Sequence, residues 1–415
     1  MAKTGIIGGG IMGLCTAYYL RKAGHEVAVF DRGDFSQGCS HGNAGMVVPS
    51  HIIPLAAPGV IRQGLKWLLD SKSPFSIRPS WNPELWYWLF HFQKAATKKA
   101  VQKAIPALAQ FSLQSSALYQ AMAASGDFDF TLHRTGMLML CQKANTLHEE
   151  LQVAELAKAH GIEANFLHQD DLAVLDPNVR YSVRGAVYYP GDAIIDPAET
   201  MKALRQWLVQ QGVGFFSGTD ITALKKGSGR IQSASSPSGQ SWEFDHWVLC
   251  GGVWTSRLLK DLGFQLPLVG GKGYSFLQNN PIGLRIPALL LDHRVSVSPL
   301  QHRIRFGGTM ELGPLRTNIR WSRVEGIFES IKYYYPDWKG ELPDINAVWY
   351  GFRPCSPDGL PCIGKIPGFE NLHVATGHGM MGVSLAPATG QAIADQILKN
   401  ENPMPAFRPE RFIFG

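Results

Sequence analysis

The segment from Lys3 to Asp31 constrains the fold of this chain more than any other. Thr4 to Ile7 is short, apolar and β-prone, and runs into Gly8-Gly9-Gly10-Ile11-Met12-Gly13. Ile11 to Ala23 carries apolar residues at helical spacing and stops at Gly24, a glycine of the kind that closes helices. Glu26 to Phe30 is β-prone again and ends in Asp31. Strand, glycine turn, helix, strand is a βαβ opening, and it argues for an α/β fold on a parallel sheet.

The turn fits G-x-G-x-x-G, and each glycine has a separate reason. Gly8 permits the tight turn, Gly10 lets backbone approach a pyrophosphate, and Gly13 lets helix and strand pack closely. The helix that opens at Ile11 and Met12 offers unpaired N–H groups and partial positive charge to phosphates. Asp31, followed by Arg32, stands where an acid hydrogen-bonds a ribose hydroxyl, which disfavours a 2′-phosphate. The pattern therefore predicts a dinucleotide. NAD enzymes usually continue with consecutive α/β units. This chain leaves the pattern after Asp31 and returns to glycine-rich segments much later, at Cys250-Gly251-Gly252-Val253-Trp254 and at Thr376-Gly377-His378-Gly379-Met380-Met381-Gly382. Several backbone approaches to one long ligand suit FAD.

The remaining chain narrows the class. Of 415 residues, 45% are hydrophobic and 17% charged, which excludes a wholly disordered protein. The formal charge of +6 is spread thinly, and nucleic-acid binding is not suggested. Six distant cysteines form no CxxC and no zinc-like spacing, so no metal site and a reducing compartment are expected. The first strand begins too early for a leader, and no run of about twenty apolar residues occurs, so a cytoplasmic protein is expected. Residues 62–125 read as helical, with aromatic clusters at Trp67 and at Trp81 to Phe92; 131–140 and 185–189 read as strands, and 146–160 as a helix. Asp196-Pro197 with Glu199 opens a helix to about Gln211. A strand meander follows over 213–249, more β segments over 267–350, a strand over Leu372–Thr376, and a helix from about Ala386 to Leu398. No flexible linker separates domains, which predicts interleaving.

With these residues in view, the chain resembles the FAD-dependent D-amino-acid oxidase family. It looks most like the bacterial D-amino-acid dehydrogenase small-subunit-like proteins and is similar to glycine oxidase. The resemblance covers nearly the whole chain. It rests on Gly8 to Gly13, Ser40-His41-Gly42-Asn43-Ala44-Gly45-Met46, Pro190-Gly191-Asp192 with Asp196-Pro197, and Gly252-Val253-Trp254. Further landmarks are Lys272-Gly273-Tyr274-Ser275, Gly351-Phe352-Arg353-Pro354 with Pro357-Asp358-Gly359, and Gly377-His378-Gly379.

The resemblance implies a Rossmann-like FAD-binding domain (1–48, 190–262 and 345–415) interleaved with an antiparallel-sheet substrate domain (49–189 and 263–344). It implies oxidative deamination of a small D-amino or D-imino acid, with hydride passing from Cα to flavin N5 after the amine has lost its proton. Glycine, sarcosine or another secondary amine is the nearest alternative. A flavin enzyme acting on a modified RNA base and a non-catalytic flavin subunit are others. Arg353 is expected to hold the substrate carboxylate, against a structural ion pair to Asp358 or Glu311. Tyr274 is expected to contact substrate, against a packed interface aromatic; Lys272 is a weaker candidate, against an ordinary strand lysine. His51 lies in the loop that passes the flavin and joins the substrate-binding set. His378 is expected to act on the flavin mainly through backbone, with a general-base role as the lesser reading.

Ser40, Asn43, Ala44, Gly45 and Met46 would line the flavin, Ile221 would lay backbone against adenine, and Cys250, Gly251 and Trp254 would approach the diphosphate or ribose. Gly377 would approach the cofactor, and the N–H groups of His378, Gly379, Met380, Met381 and Gly382 would face negative charge on the reduced ring. Some relatives attach FAD through a histidine near this loop; the matching position is Gly42, so FAD is expected to be non-covalent. Leu85, Trp86, Leu89, Phe90 and Phe92 can form one packed helix face. Alternatively Trp81, Trp86 and Trp88 with Lys94, Lys98 and Lys99 can rest on the inner face of a membrane. The electron acceptor is either oxygen or a quinone or other carrier.

Overall fold

The computed structural model describes residues 2–56, 72–77, 81–401 and 404–412. The opening βαβ unit builds the centre of a six-stranded sheet. Lys3–Ile7 pairs in parallel with Glu26–Phe30 on one side and with His246–Leu249 on the other, and Leu372–Thr376 extends the parallel run. Gly214–Phe216 forms one edge and the antiparallel Cys362–Lys365 the other. Four of these strands come from segments far apart in sequence from the opening unit.

Helix Ile11–Lys22 lies on this sheet because Gly13 has no side chain: a Cβ there would run into the Gly8 carbonyl. The C-terminal helix, Gly382–Lys399, crosses it where a Cβ on Gly390 would lie 2.6 Å from the backbone of Cys15. This helix starts four residues before the predicted Ala386. Pro387 lies inside it and cannot donate to the carbonyl of Val383. Tyr119 Oη donates to that carbonyl instead, at 2.7 Å, and Ser115 Oγ donates to the Ser384 carbonyl at 2.7 Å.

The second sheet has nine strands, antiparallel except where Ala288–Leu290 meets Met137–Cys141 and Phe75–Ile77 meets the strand Arg303–Gly313. Its long central strand, Val269–Asn279, pairs with Arg303–Gly313 on one side and Trp349–Cys355 on the other. Trp349–Cys355 falls in the stretch that the sequence division at 345 assigns to the cofactor half, yet it is hydrogen-bonded into this sheet. Likewise helix Lys98–Ala124, drawn with the substrate half, buries Ala104, Leu108, Phe111, Tyr119 and Met122 in the core formed by the first and last helices.

The predicted helix over 62–125 is not continuous. Its part around Trp67 lies outside the described residues; beyond that come a short strand, helix Pro83–Ala95 and helix Lys98–Ala124. The break comes at Thr97, whose side chain caps the second helix through the Ala100 N–H. The buried face of Pro83–Ala95 is Leu85, Trp88, His91 and Phe92, whereas Trp86 and Phe90 point out. This corrects both aromatic readings: Trp86 and Phe90 are not core, and Trp88 is fully buried and reaches no surface.

Candidate active site

The phosphate turn has the shape its glycines imply. Gly8 adopts φ 112, and a Cβ there would lie 2.5 Å from the carbonyl of Cys250, whose own N–H donates to Ile7. At Gly10 a Cβ would meet only Ser40 Oγ, at 3.3 Å, so the backbone here is open to a ligand. Ser40 Oγ also lies 3.3 Å from the Ile11 N–H at the start of the helix. Asp31 accepts from the N–H groups of Gly9 (2.7 Å) and Gly33 (2.8 Å), which ties the end of the second strand to the turn. The Arg32 guanidinium stacks 4.0 Å from the Trp254 ring beside Gly251. Ile221 is buried in the core, so only its backbone is available to a ligand. An open glycine turn, the N–H groups at the helix start and a fixed carboxylate fit a dinucleotide.

The loop from Cys39 to Val48 crosses to the second sheet. Gly42 sits on Trp349, where a Cβ would come within 2.5 Å of the indole, and its carbonyl accepts from Ser275 Oγ at 2.8 Å. The Asn43 carbonyl accepts from Arg305 Nη1 at 2.7 Å, and the Asn43 side chain holds the Gly45 N–H. After Ala44 and Gly45, Met46–Val47 pairs with Ala193–Ile194, and Val48 N–H donates to Ser384 Oγ at 2.9 Å. The loop is thus fixed to the start of the C-terminal helix. His51 follows, with Nδ1 3.3 Å from Ser50 Oγ, which donates to buried Asp192 at 2.6 Å. Burial and the Arg294 charge push His51 down to about 4, and burial pushes Asp192 up to about 7.

The second glycine-rich turn closes the arrangement. Gly377 and Gly379 adopt φ 77 and 54, and the Gly379 N–H donates to the Pro354 carbonyl at 2.9 Å. His378 is buried, with Nε2 2.9 Å from Thr389 Oγ1; burial pushes it down to about 3, so the ring is neutral. A neutral ring held by Thr389 suits an anchor that fixes the backbone. Met380 is half-exposed, Met381 N–H bonds the His378 carbonyl, and Gly382 begins a helix with no side-chain cap and no acid in its first turn. Its first N–H groups can face an anion.

Arg353 projects from the front of the second sheet, the face that carries Gly273 and Ser275 and meets the Cys39–Val48 loop. Its guanidinium lies over Gly273, where a Cβ would be 2.5 Å from Nη2, and Nη1 donates to the Thr309 carbonyl at 2.7 Å. Burial lowers its pKa from the usual arginine value. Among the described residues no carboxylate pairs with it. Both acids of the structural alternative are engaged elsewhere: Asp358 with Arg411 at 2.6 Å, and Glu311 with Tyr274 Oη at 2.7 Å and Arg320 at 3.5 Å. A half-buried cation with no counter-charge is costly, and a site that receives an anion explains it. Trp88 Nε1 donates to the Cys355 carbonyl at 2.8 Å and steadies the end of this strand.

Tyr274 and Lys272 do not join Arg353. Successive strand residues face opposite sides, and these two face the back, under helix Trp321–Tyr334. Tyr274 is fully buried there, and Lys272 Nζ bonds the Asn318 carbonyl. Direct substrate contact by either, as expected from sequence, is inconsistent with this placement. Sequence reading also missed Thr309, Trp349 and Trp88. The only signal for Thr309 was the Gly307-Gly308 pair before it, which marks a bulge in a strand.

Comparison with known proteins agrees with this geometry. The model of the DAO family, described as FAD dependent oxidoreductase, matches residues 3–396. A D-amino acid dehydrogenase of Xanthobacter autotrophicus is 31% identical over 402 residues, covering 94% of each chain. One from Rhizorhabdus wittichii is 31% identical over 405 residues, covering 95% of this chain and 96% of that one. Among solved structures, glycine oxidase from Geobacillus kaustophilus superposes with a TM-score of 0.79 at 22% identity over 99% of both chains. L-proline dehydrogenase from P. horikoshii gives 0.76 at 18% identity, over 100% of this chain and 98% of that one. The chain belongs to the DAO family of FAD-dependent oxidoreductases, and FAD is its cofactor.

Proposed function

We propose that this enzyme oxidises a small D-amino or D-imino acid to its imine and that Arg353 docks the substrate carboxylate. The observation that carries the proposal is the half-buried Arg353 guanidinium, with no carboxylate partner among the described residues, on the sheet face that meets the Cys39–Val48 loop. A planar fork of donors holds both oxygens of a carboxylate and so fixes the direction of the adjacent Cα–H. With Nη1 committed to Thr309, the other donors serve the substrate. Bound FAD supplies the two-electron acceptor. The chain's part is orientation, exclusion of water, and the N–H groups of Met380 and Gly382 at the start of the last helix, directed at the ring's developing negative charge, while those of Gly379 and Met381 hold the turn itself. Gly42, closed off by Trp349, has no room for a histidine, which supports non-covalent FAD. The D-configuration rests on the relatives named D-amino acid dehydrogenase, and that name also favours a carrier over oxygen as acceptor. The test is anaerobic loss of flavin colour with paired D- and L-amino acids. Bleaching by D-enantiomers is expected; bleaching by L-enantiomers alone, or by glycine and sarcosine alone, overturns the reading.

One surface supports contact with a membrane-embedded acceptor. Trp81, Trp86 and Phe90 are 98, 59 and 53% exposed, Lys94 Nζ lies 4.5 Å from the Phe90 ring, and Lys98, Lys99 and Lys103 are exposed beyond it. Aromatic rings flanked by lysines suit an anionic bilayer surface. Among the described residues no helix is long and apolar enough to cross a membrane. Sedimentation with anionic vesicles, lost in Trp86→Ser/Phe90→Ser, is the expected result; equal recovery of wild type and variant with anionic and neutral vesicles contradicts it.

A further inference from the structure

The strand that presents Arg353's partner is distorted where it does so. Lys272 pairs with Glu311 and Tyr274 with Gly308, so Thr309 and Met310 together face the single residue Gly273. This is a β-bulge, with one extra residue on the Arg303–Gly313 strand. Thr309 takes φ 65, a left-handed conformation that is costly for a β-branched residue. It is buried, and its Oγ1 has no hydrogen-bond partner among the described residues. The distortion therefore needs an outside restraint. What it accomplishes is visible on the front of the sheet: the Thr309 carbonyl holds Arg353 Nη1 at 2.7 Å.

The restraint lies on the back. Tyr274 and Glu311 stand on the two rungs that flank the bulge, and Tyr274 Oη donates to Glu311 Oε1 at 2.7 Å, diagonally across it. The Arg320 N–H donates to the same phenol oxygen at 3.2 Å, and the Arg320 guanidinium lies 3.5 Å from Glu311 Oε2. A short hydrogen bond across the extra residue sets how far the two rungs can separate, and so fixes the register of the bulge.

We propose that Tyr274 is a positioning residue for Arg353: its hydrogen bond to Glu311 behind the sheet fixes the bulge whose Thr309 carbonyl aims the guanidinium in front. The inference rests on Arg353 as the carboxylate anchor, and it gives Tyr274 a role that needs no contact with substrate.

The test uses the FAD-loaded enzyme and propionate, a carboxylate without an amine, with binding read from the flavin's visible spectrum. Tyr274→Phe and Glu311→Ala are each expected to raise the propionate Kd about tenfold, the scale of a loosened charge-assisted hydrogen bond. The double variant should be no worse than either single one, because both remove one link. Glu311→Gln keeps an acceptor oxygen and should retain most of the affinity. FAD content, measured alongside, should be retained in Tyr274→Phe, and its melting temperature should fall by a few degrees, as for any lost buried hydrogen bond. Arg353→Ala is the reference. If it binds propionate as wild type does, the carboxylate-anchor reading fails. If it loses binding while Tyr274→Phe does not, or if the Tyr274 and Glu311 effects add, the positioning role is wrong and the anchor stands. Should Tyr274→Phe not fold, Glu311→Ala against Glu311→Gln decides: equal Kd values for the two overturn the proposal.

Discussion

Gly273 offers a way to remove Arg353 from its place without touching Arg353. Its backbone is not in the left-handed region, so an alanine there carries no conformational penalty. The added Cβ would stand 2.5 Å from Nη2 and 2.6 Å from Cζ of Arg353, and closer still to Nη1. Carbon and nitrogen do not approach so closely, and the obstacle is the end of a side chain, so the guanidinium must move and leave the Thr309 carbonyl. A bidentate carboxylate contact is then lost. Hydrogen bonds to charged groups contribute about 1.5–3 kcal/mol each, and a net loss of about 3 kcal/mol is expected, since the displaced cation still attracts the carboxylate. At about 1.4 kcal/mol per decade this is about a hundredfold in kcat/KM. The assay is the anaerobic rate of flavin reduction against substrate concentration, with FAD content and melting temperature as controls. A folded, flavin-loaded Gly273→Ala enzyme with wild-type kcat/KM would refute the reasoning.

Three further outcomes follow from the packing. Asp192 is buried and pushed up to about 7, so it is neutral in the folded protein where the unfolded chain, with a carboxyl near about 4, is ionised. Its contribution to stability is present below about pH 4 and is lost as pH rises through about 7. Asp192→Asn should therefore flatten the fall in melting temperature between about pH 4 and pH 7, and an unchanged slope contradicts this. Tyr119→Phe leaves the Val383 carbonyl, freed by Pro387, buried without a donor, and should cost about 1–3 kcal/mol in denaturant unfolding; no loss would mean that water replaces the phenol. Gly390→Ala forces a Cβ to within 2.6 Å of Cys15 backbone, which cannot yield as a side chain does, and should cost about 1–3 kcal/mol by overpacking. A variant as stable as wild type would mean that the two helices separate freely.

The phosphate turn was legible in the sequence because its reasons are local. Gly8, Gly10 and Gly13 answer to atoms within one turn of chain or to the adjacent strand, and Asp31 is placed by the length of one helix. Arg353 was singled out through its motif, and the structure shows that neither acid of the salt-bridge alternative pairs with it: Asp358 and Glu311 are bonded to other arginines. Tyr274 and Lys272 were misplaced because motif proximity says nothing about which side of a strand a residue faces; residues 272, 273 and 274 alternate, and Gly273 alone shares the face of Arg353. The aromatic helix was ambiguous for a related reason. With Trp86, Trp88, Phe90 and Phe92 in succession, every face is apolar, and only the packing of Leu85, Trp88 and Phe92 against Val269, Met310, Leu312 and Cys355 decides which is buried. The early start of the last helix depended on Tyr119, more than 260 residues away in sequence.

The most direct test of the account compares wild type with Arg353→Ala, anaerobically, on a D-amino acid and on the amine that lacks its carboxylate. If Arg353 docks the carboxylate, wild type bleaches its flavin far faster with the amino acid than with the amine, and the variant loses that preference while still binding FAD. A variant that keeps the full preference for the amino acid would contradict the central claim.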